Sequence, residues 1–216
     1  MEQSPVLIEK AYNLIADEYT EHFKNELKNK PLDRDILLRF SKEMSGRSPV
    51  WDFGCGPGQT TQFLYNLGVE VSGLDLSEKL IEQANFIHPG IFFNKGNMLA
   101  LDFSDNSIAG IVAFYAIVHF SKTQVIKAFH EVFRVLQPGG IFLFSYHIGE
   151  ELIHVDEFLG KEVSLDFMFF STDFITDCVK QSGFDNIDII EREPYPDVEY
   201  QSRRAYIFAE KPKVFK

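Results

Sequence analysis

The stretch VWDFGCGPGQT, residues 50–60, decides the fold. It joins a short apolar run, 50–53, to the start of a helix, 59–67, through glycines at alternate positions, Gly54, Gly56 and Gly58. Glycine lets the main chain turn tightly and leaves room for a ligand against the backbone. A strand, a glycine loop and a helix in this order mark where open α/β sheets take nucleotide-like ligands, outside the carboxyl ends of their strands. The spacing is GxGxG with Pro57 inside, not the GxGxxG that seats a pyrophosphate on a helix N-terminus. No lysine stands in P-loop position, which argues against nucleoside triphosphates. Cys55 is read as a small packing residue, since no base accompanies it in the motif.

Outward from this loop the pattern alternates strand and helix. Strands are expected at 70–74, 91–94, 108–114 and 141–146, the third a nearly continuous apolar run suited to burial on both faces. Ser77 and Ser121 stand where helix caps belong, Gly68 where a helix stops, and Gln137-Pro138-Gly139-Gly140 breaks the helix before the strand at 141. A further helix is expected at 172–182. Two last strands, 186–191 and 204–210, have no helix between them and favour an antiparallel hairpin at the sheet edge. The fold class is α/β: a Rossmann-like, mostly parallel seven-stranded sheet with helices on both faces and that C-terminal hairpin. Upstream, Leu7, Ala11, Leu14, Ile15, Tyr19, Phe23 and Leu27 fall at helical spacing and predict one helix over 4–29; a second begins near Pro31 and stops near Gly46. Residues 147–171 read as an irregular, aromatic-rich insertion. One domain over 1–216 is expected, with 1–46 as a helical lid and 147–171 beside an acceptor pocket.

Composition narrows the partners. A net charge of −11 disfavours DNA or long RNA, because phosphate binding needs a cationic surface. Two cysteines, Cys55 and Cys178, imply no disulfide framework. The opening residues lack a signal-peptide pattern, and the apolar stretch 108–120 is too short to span a bilayer and contains His119. A cytoplasmic protein with no membrane partner follows. The 22 phenylalanines exceed what a core alone calls for, so some are expected to line an apolar pocket.

Asp75 ends the second strand, where a carboxylate can accept from both hydroxyls of a ribose. With this in place the chain resembles the class I S-adenosylmethionine (SAM)-dependent methyltransferases, of the small bacterial kind, over roughly residues 8–210. The carriers are VWDFGCGPGQT (50–60), VSGLDLS (71–77), GNMLALDF (96–103), FYAIVHF (114–120) and EVFRVLQPGG (131–140). The resemblance implies that SAM is the cofactor, with S-adenosylhomocysteine (SAH) as product. It places Asp52, Gly54, Cys55, Gly56 and Gly58 against the methionine part, Asp75 and Leu76 at the ribose, Asn97 and Met98 at the adenine, and Phe114 and Tyr115 beside the sulfonium. Asn97 departs from the aspartate often found there, but its amide can still bond the adenine edge.

Methyl transfer from a sulfonium is an in-line displacement, so alignment and exclusion of water are the first needs, and a base is needed only for a protonated acceptor. His119 and His147 lie just past the strands at 108–114 and 141–146, at the cofactor end of the sheet, and are the candidate bases. Packing or capping is the alternative for His119, and pocket lining is favoured for His147. Tyr12 and Tyr19 share one helix face and reach either the cofactor or the acceptor, or else pack in the core. Tyr115, His119, His147, Arg203 and Arg204 are candidate acceptor contacts. The arginines suit an acidic group on the acceptor, or ion pairs with Glu191, Glu193 or Glu199. His147, Glu150, Glu151, His154 and Asp156 cluster in sequence, but at no recognisable metal spacing, and no metal is expected. The expected function is methyl transfer to a small metabolite by a monomer or homodimer. A nucleic-acid or protein methyltransferase, an NAD-dependent dehydrogenase and a non-catalytic SAM-binding module are the competing readings. The region after the strand at 108–114 lacks the NPPY-type sequence of amino-methylating nucleic-acid enzymes.

Overall fold

The computed structural model describes residues 2–213; the ends of the expected 1–216 domain, residue 1 and residues 214–216, lie outside the described residues. Among the described residues there are nine strands and seven α-helices, seven of the strands forming the expected sheet. Strands β1 (Val50–Phe53), β2 (Val71–Asp75), β3 (Phe93–Lys95), β4 (Ile108–Phe114), β5 (Leu136–His147), β8 (Asp185–Arg192) and β9 (Arg204–Glu210) form one sheet in the order β3-β2-β1-β4-β5-β9-β8. All neighbours from β3 to β5 are parallel; β9 runs antiparallel to both β5 and β8. After β1 the chain builds outward to β3 and then returns to place β4 on the other side of β1. The loops following β1 and β4 therefore diverge, and a crevice opens at the carboxyl edge of the sheet.

Both faces are covered, and side chains alternate between them. Ile111, Ala113, Phe142, Phe144, Ala205 and Ile207 pack with helices α6 (Lys122–Val135) and α7 (Thr172–Gln181). Val112, Leu143, Tyr206 and Phe208 face the other way, towards α3 (Pro31–Glu43) and α4 (Gln59–Asn66). Period two along each strand, with apolar residues on both sides, is the signature of a sheet buried between helix layers. Helix α5 (Glu78–Ile87) is capped by Ser77 and α6 by Ser121, whose side chain closes a capping box with Gln124.

Two expectations are corrected. The helix predicted over 4–29 is three pieces: α1 (Pro5–Leu14), α2 (Ala16–Phe23) and a 3₁₀ turn (Glu26–Asn29). Ile15 leaves helical geometry (φ −99°, ψ 8°) and is fully buried. Helix α2 restarts behind it with Asp17 and Glu18 in its first turn, where the helix dipole favours acids. The insertion expected to be irregular, 147–171, contains a twisted antiparallel hairpin, β6 (Leu152–Phe158) and β7 (Lys161–Met168), turned at Leu159 and Gly160, both with positive φ. Val163 and Leu165 on its inner face bury against Ala11 and Ile15, with Val155, Phe158 and Phe167 alongside. The N-terminal helices thus pack on the hairpin, and the two together roof the crevice.

Candidate functional site

Three positive φ angles shape the loop after β1: Gly54 (72°), Gly56 (53°) and Gly58 (89°). Side chains are excluded at two of them by space as well. A Cβ on Gly54 would stand 2.6 Å from the Cβ of Ala116, and one on Gly58 2.8 Å from Phe93. Asp75 holds the loop in place. Its Oδ2 accepts from the Gly56 amide (2.9 Å) and its Oδ1 from the Ser77 amide (2.8 Å), so one carboxylate ties β2 to the glycine turn. Asp52, 1% exposed, accepts from Thr61 Oγ1 at 2.7 Å. Burial, with Asp75 and Glu26 as negative neighbours, pushes its carboxyl up to about 7. Burial also raises Asp75, against the pull of its main-chain donors.

Below the roof lies one continuous cavity of about 1110 Å³. Asp52, Gly54, Cys55, Gly56, Asp75, Leu76, Asn97 and Met98 line one end; the 196–204 loop and Ile153, Val155, Phe158, Phe167 and Phe169 line the other. Tyr12, Tyr19 and Phe23 close it from above. Tyr19 stands over the glycine loop, about 3.5 Å from where a Gly56 Cβ would be. Asn13 of α1 accepts from Ser77 Oγ (2.7 Å) and the Lys79 amide (3.1 Å), and Glu9 pairs with Lys95 (2.6 Å), so the lid is bonded to the cofactor side of the sheet. Its other end is bonded to the hairpin. Gln3 donates to Ser164 O (2.7 Å) and accepts from the Asp166 amide (3.1 Å).

His119 joins these pieces. Its Nδ1 faces Asp166 O at 2.7 Å, and its Nε2 faces the Tyr12 hydroxyl at 2.8 Å. A carbonyl only accepts, so Nδ1 carries the proton and Nε2 accepts from the hydroxyl. Both nitrogens are engaged, and burial lowers the ring to about 4. His147 differs. Its ring lies between Phe169 (centroids 5.1 Å, 18°) and Tyr115 (5.1 Å), its Nδ1 meets Ser202 Oγ at 2.7 Å, and Nε2 has no partner among the described residues. Burial, then the charges of Arg204 and Lys30, push it down to about 3. Both imidazoles are therefore neutral at pH 7. Tyr115, next to β4, sits at φ 54°, and its amide is held by Ser145 O and Oγ (both 3.1 Å). That left-handed conformation is unusual for a bulky residue.

The end of the cavity beside His147 is ionic. Because β9 is antiparallel, its first residue lies beside the last of β5: Arg204 pairs in register with His147, and Arg192 with Arg204. The 193–203 loop therefore folds over the carboxyl edge. Arg192 bridges Asp33 (3.1 Å) and Glu199 (3.1 Å), with side chains 7%, 1% and 4% exposed. Lys30, delivered by the 3₁₀ turn, lies 2.9 Å from Glu26 and 3.5 Å from Glu199. Arg204 donates to Ser202 O (2.6 Å) and Tyr200 O (2.8 Å).

Almost every residue singled out from the sequence lines this cavity: Asp52, Gly54, Cys55, Gly56, Asp75, Leu76, Asn97, Met98, Phe114, Tyr115, Tyr12, Tyr19, His119, His147 and Arg204. Two do not. Gly58 turns the chain into α4 from behind the wall, and Arg203 points outward to Glu191 (2.7 Å) and Glu193 (3.1 Å). His154 is exposed between Asp166 and Asp156, and no cluster of three metal-ligating side chains exists among the described residues. Sequence reading missed Glu26, Lys30 and Gln59, none of which carries a local signal, whereas Glu199, expected as an ion-pair partner of the arginines, lies 3.3 Å from Arg204. Sequence reading also missed Ile153, Val155, Val163 and Leu165, whose period-two alternation about Leu159-Gly160 was a strand signal.

Comparison with known proteins points the same way. Residues 50–140 match the family model described as a methyltransferase domain. A probable S-adenosylmethionine-dependent methyltransferase of Mycolicibacterium smegmatis is 32% identical over 111 residues, covering 51% of this chain and 42% of the relative. A malonyl-[acyl-carrier protein] O-methyltransferase of Erwinia billingiae is 32% identical over 138 residues, covering 64% and 52%. The chain spans about half the length of the curated relatives it matches. In fold it is similar to a SAM-dependent methyltransferase of Methanosarcina mazei, with TM-score 0.68 at 19% identity over 76% of this chain and 92% of that one.

Proposed function

We propose that the chain is a class I SAM-dependent methyltransferase, as its methyltransferase-domain match and fold support, and that it transfers the SAM methyl group to a small molecule held in the same cavity. The observation that carries this reading is the size and continuity of the roofed space, about 1110 Å³. Pockets for one ligand run from roughly 300 to 1000 Å³, so a cavity at the top of that range leaves room for a small acceptor beside a nucleoside-sized cofactor. A roof bonded at both ends favours a small acceptor over a nucleic-acid chain, as does the net charge of −11.

The residues present suit SAM. The glycine loop leaves backbone exposed to a ligand, and that end of the cavity is acidic, with Asp52, Asp75 and Glu26. Gln59 adds a buried side-chain oxygen with no partner among the described residues, an acceptor waiting for a donor such as an ammonium. Asp75 keeps lone pairs for ribose hydroxyls beyond those used by Gly56 and Ser77. Asn97 spends its Oδ1 on the Leu99 amide (2.9 Å), leaving its NH₂ for an adenine edge. When bound, SAM supplies a methyl carbon already activated by a positive sulfur.

In this reading the protein contributes position and dryness more than proton transfer. His119 fixes the Tyr12 hydroxyl and ties the lid to the hairpin. His147 and Tyr115 form the wall against which the acceptor lies, and Arg204 holds the 199–202 backbone. Titration calorimetry with SAM and SAH, followed by a metabolite panel with labelled SAM, tests the proposal. Absence of SAM binding, or displacement of SAM by NAD at equal concentration, would sink it.

A further inference from the structure

Two features of the acceptor end bear on the chemistry of the acceptor. The first is the ammonium of Lys30. It is buried and lines the cavity, yet among the described residues it makes one hydrogen bond, to Glu26 Oε2 at 2.9 Å. An ammonium has three donors to place. Glu199 lies 3.5 Å away, and the Tyr115 ring lies 5.6 Å below the ammonium. The two carboxylates balance its charge, but a donor is left over, and a ligand oxygen would complete its shell. The Arg204 guanidinium stands over the same Tyr115 ring at 5.8 Å. Two cations therefore flank the ring that borders the reacting end of the cavity.

The second is that, at this end and among the described residues, no histidine or tyrosine is placed to take a proton at neutral pH. His119 has both nitrogens bonded, and His147 is held neutral by burial and by the neighbouring cations. The hydroxyls of Tyr12, Tyr19 and Tyr115 are buried, and burial holds them protonated. Against its burial, the Arg192 guanidinium pulls the Glu199 carboxyl down to about 2, too weak a base to serve. An acceptor oxygen or nitrogen that must lose a proton during attack finds no histidine or tyrosine base here. One that is already anionic needs none, and it meets the Lys30 ammonium and the Arg204 guanidinium that flank Tyr115.

Resting on the methyltransferase reading, we propose that the acceptor is a carboxylate, methylated on oxygen, with one oxygen on Lys30 and an apolar body against Ile153, Val155 and Phe167 of the hairpin. In the step, a carboxylate lone pair forms the O–CH₃ bond as the CH₃–S bond breaks. The bonding pair stays on sulfur, giving neutral SAH and a methyl ester, and no proton moves. Anion and cation become two neutral products, a change favoured in a dry cavity.

The test uses SAH-loaded protein and three matched probes: 4-phenylbutyrate, 4-phenylbutanol and 4-phenylbutylammonium. Phenylbutyrate is expected to bind about tenfold tighter than either partner, the scale of one charge-assisted hydrogen bond. In Lys30→Gln that preference should vanish while SAH affinity stays within about twofold. Failure of phenylbutyrate to bind, equal or tighter binding of the alcohol or ammonium, or an unchanged preference in Lys30→Gln would each overturn the proposal. So would a Lys30→Gln variant that loses SAH affinity instead, since Lys30 would then serve the cofactor. The wild-type comparison decides even if the variant does not fold. Loss of SAH binding in the wild type would instead remove the reading on which the proposal stands.

Discussion

At one end of the cavity the main chain presents the ligand surface. Gly54 and Gly56 expose backbone, and Asp75 holds two amides, all within one strand–helix–strand unit of the chain. At the other end the surface is made of long side chains that meet across the fold. Lys30 reaches Glu199, Arg192 reaches Asp33, and β9 brings Arg204 beside His147. A backbone site is preformed by strand and turn geometry and tolerates little change in position. A side-chain site depends on charge balance, since each buried ion needs its partner. The same sheet edge carries both, because parallel β1–β5 end there and antiparallel β9 begins there.

The largest effect should come from the ionic end. Replacing Arg192 by methionine leaves Asp33 and Glu199 buried without their shared guanidinium, and should cost about 3–5 kcal/mol of stability in denaturant unfolding. A loss under about 1 kcal/mol, the range of an exposed pair, would mean the network is dispensable and would erase the contrast between the two ends. Next is Asp75→Ala, which orphans the Gly56 and Ser77 amides and removes the proposed ribose acceptor. SAM affinity should fall about 100-fold, given ~1–3 kcal/mol per group left unpaired. An affinity within about threefold of the wild type would place the cofactor elsewhere.

A third prediction concerns Asp52. With its carboxyl at about 7, it is mostly protonated at pH 6 and mostly ionised at pH 8. A cationic ligand favours the ionised form, so SAM should bind tighter as pH rises, by about tenfold across that interval. Asp52→Asn should flatten the profile. With SAM saturating, turnover should be nearly flat from pH 6 to 9, since His119 and His147 titrate at about 4 and about 3. A turnover profile with a step near pH 6.5 would show a working histidine base. The smallest effect is expected at the junction of lid and hairpin. Tyr12→Phe and His119→Asn each break the same hydrogen bond between Tyr12 and His119. Each should raise the KM for SAM about fivefold, as loss of ~1 kcal/mol implies. If the two changes add in the double variant, the bond is not the link between lid and hairpin.

How much could be read beforehand follows the same division. VWDFGCGPGQT and Asp75 were legible because each is contiguous and its chemistry follows from local backbone geometry, alternate glycines at a strand end and an acid closing the next strand, whereas Asn97-Met98 entered only through the family resemblance. The mostly parallel sheet with its antiparallel last pair also followed, from alternation of strand and helix and the missing helix before 204–210, whereas the strand order came only from the folded chain. The break at Ile15 was hidden because helical spacing continues through it, and only packing on the hairpin turns the chain there. The hairpin was hidden by Leu159-Gly160, a turn without the usual Asn or Asp. The engagement of His119, the neutrality of His147 and the pairing of Lys30 with both nearby Glu26 and distant Glu199 came only from the folded chain. Burial and charge set those properties, and both depend on which distant segments the sheet brings together.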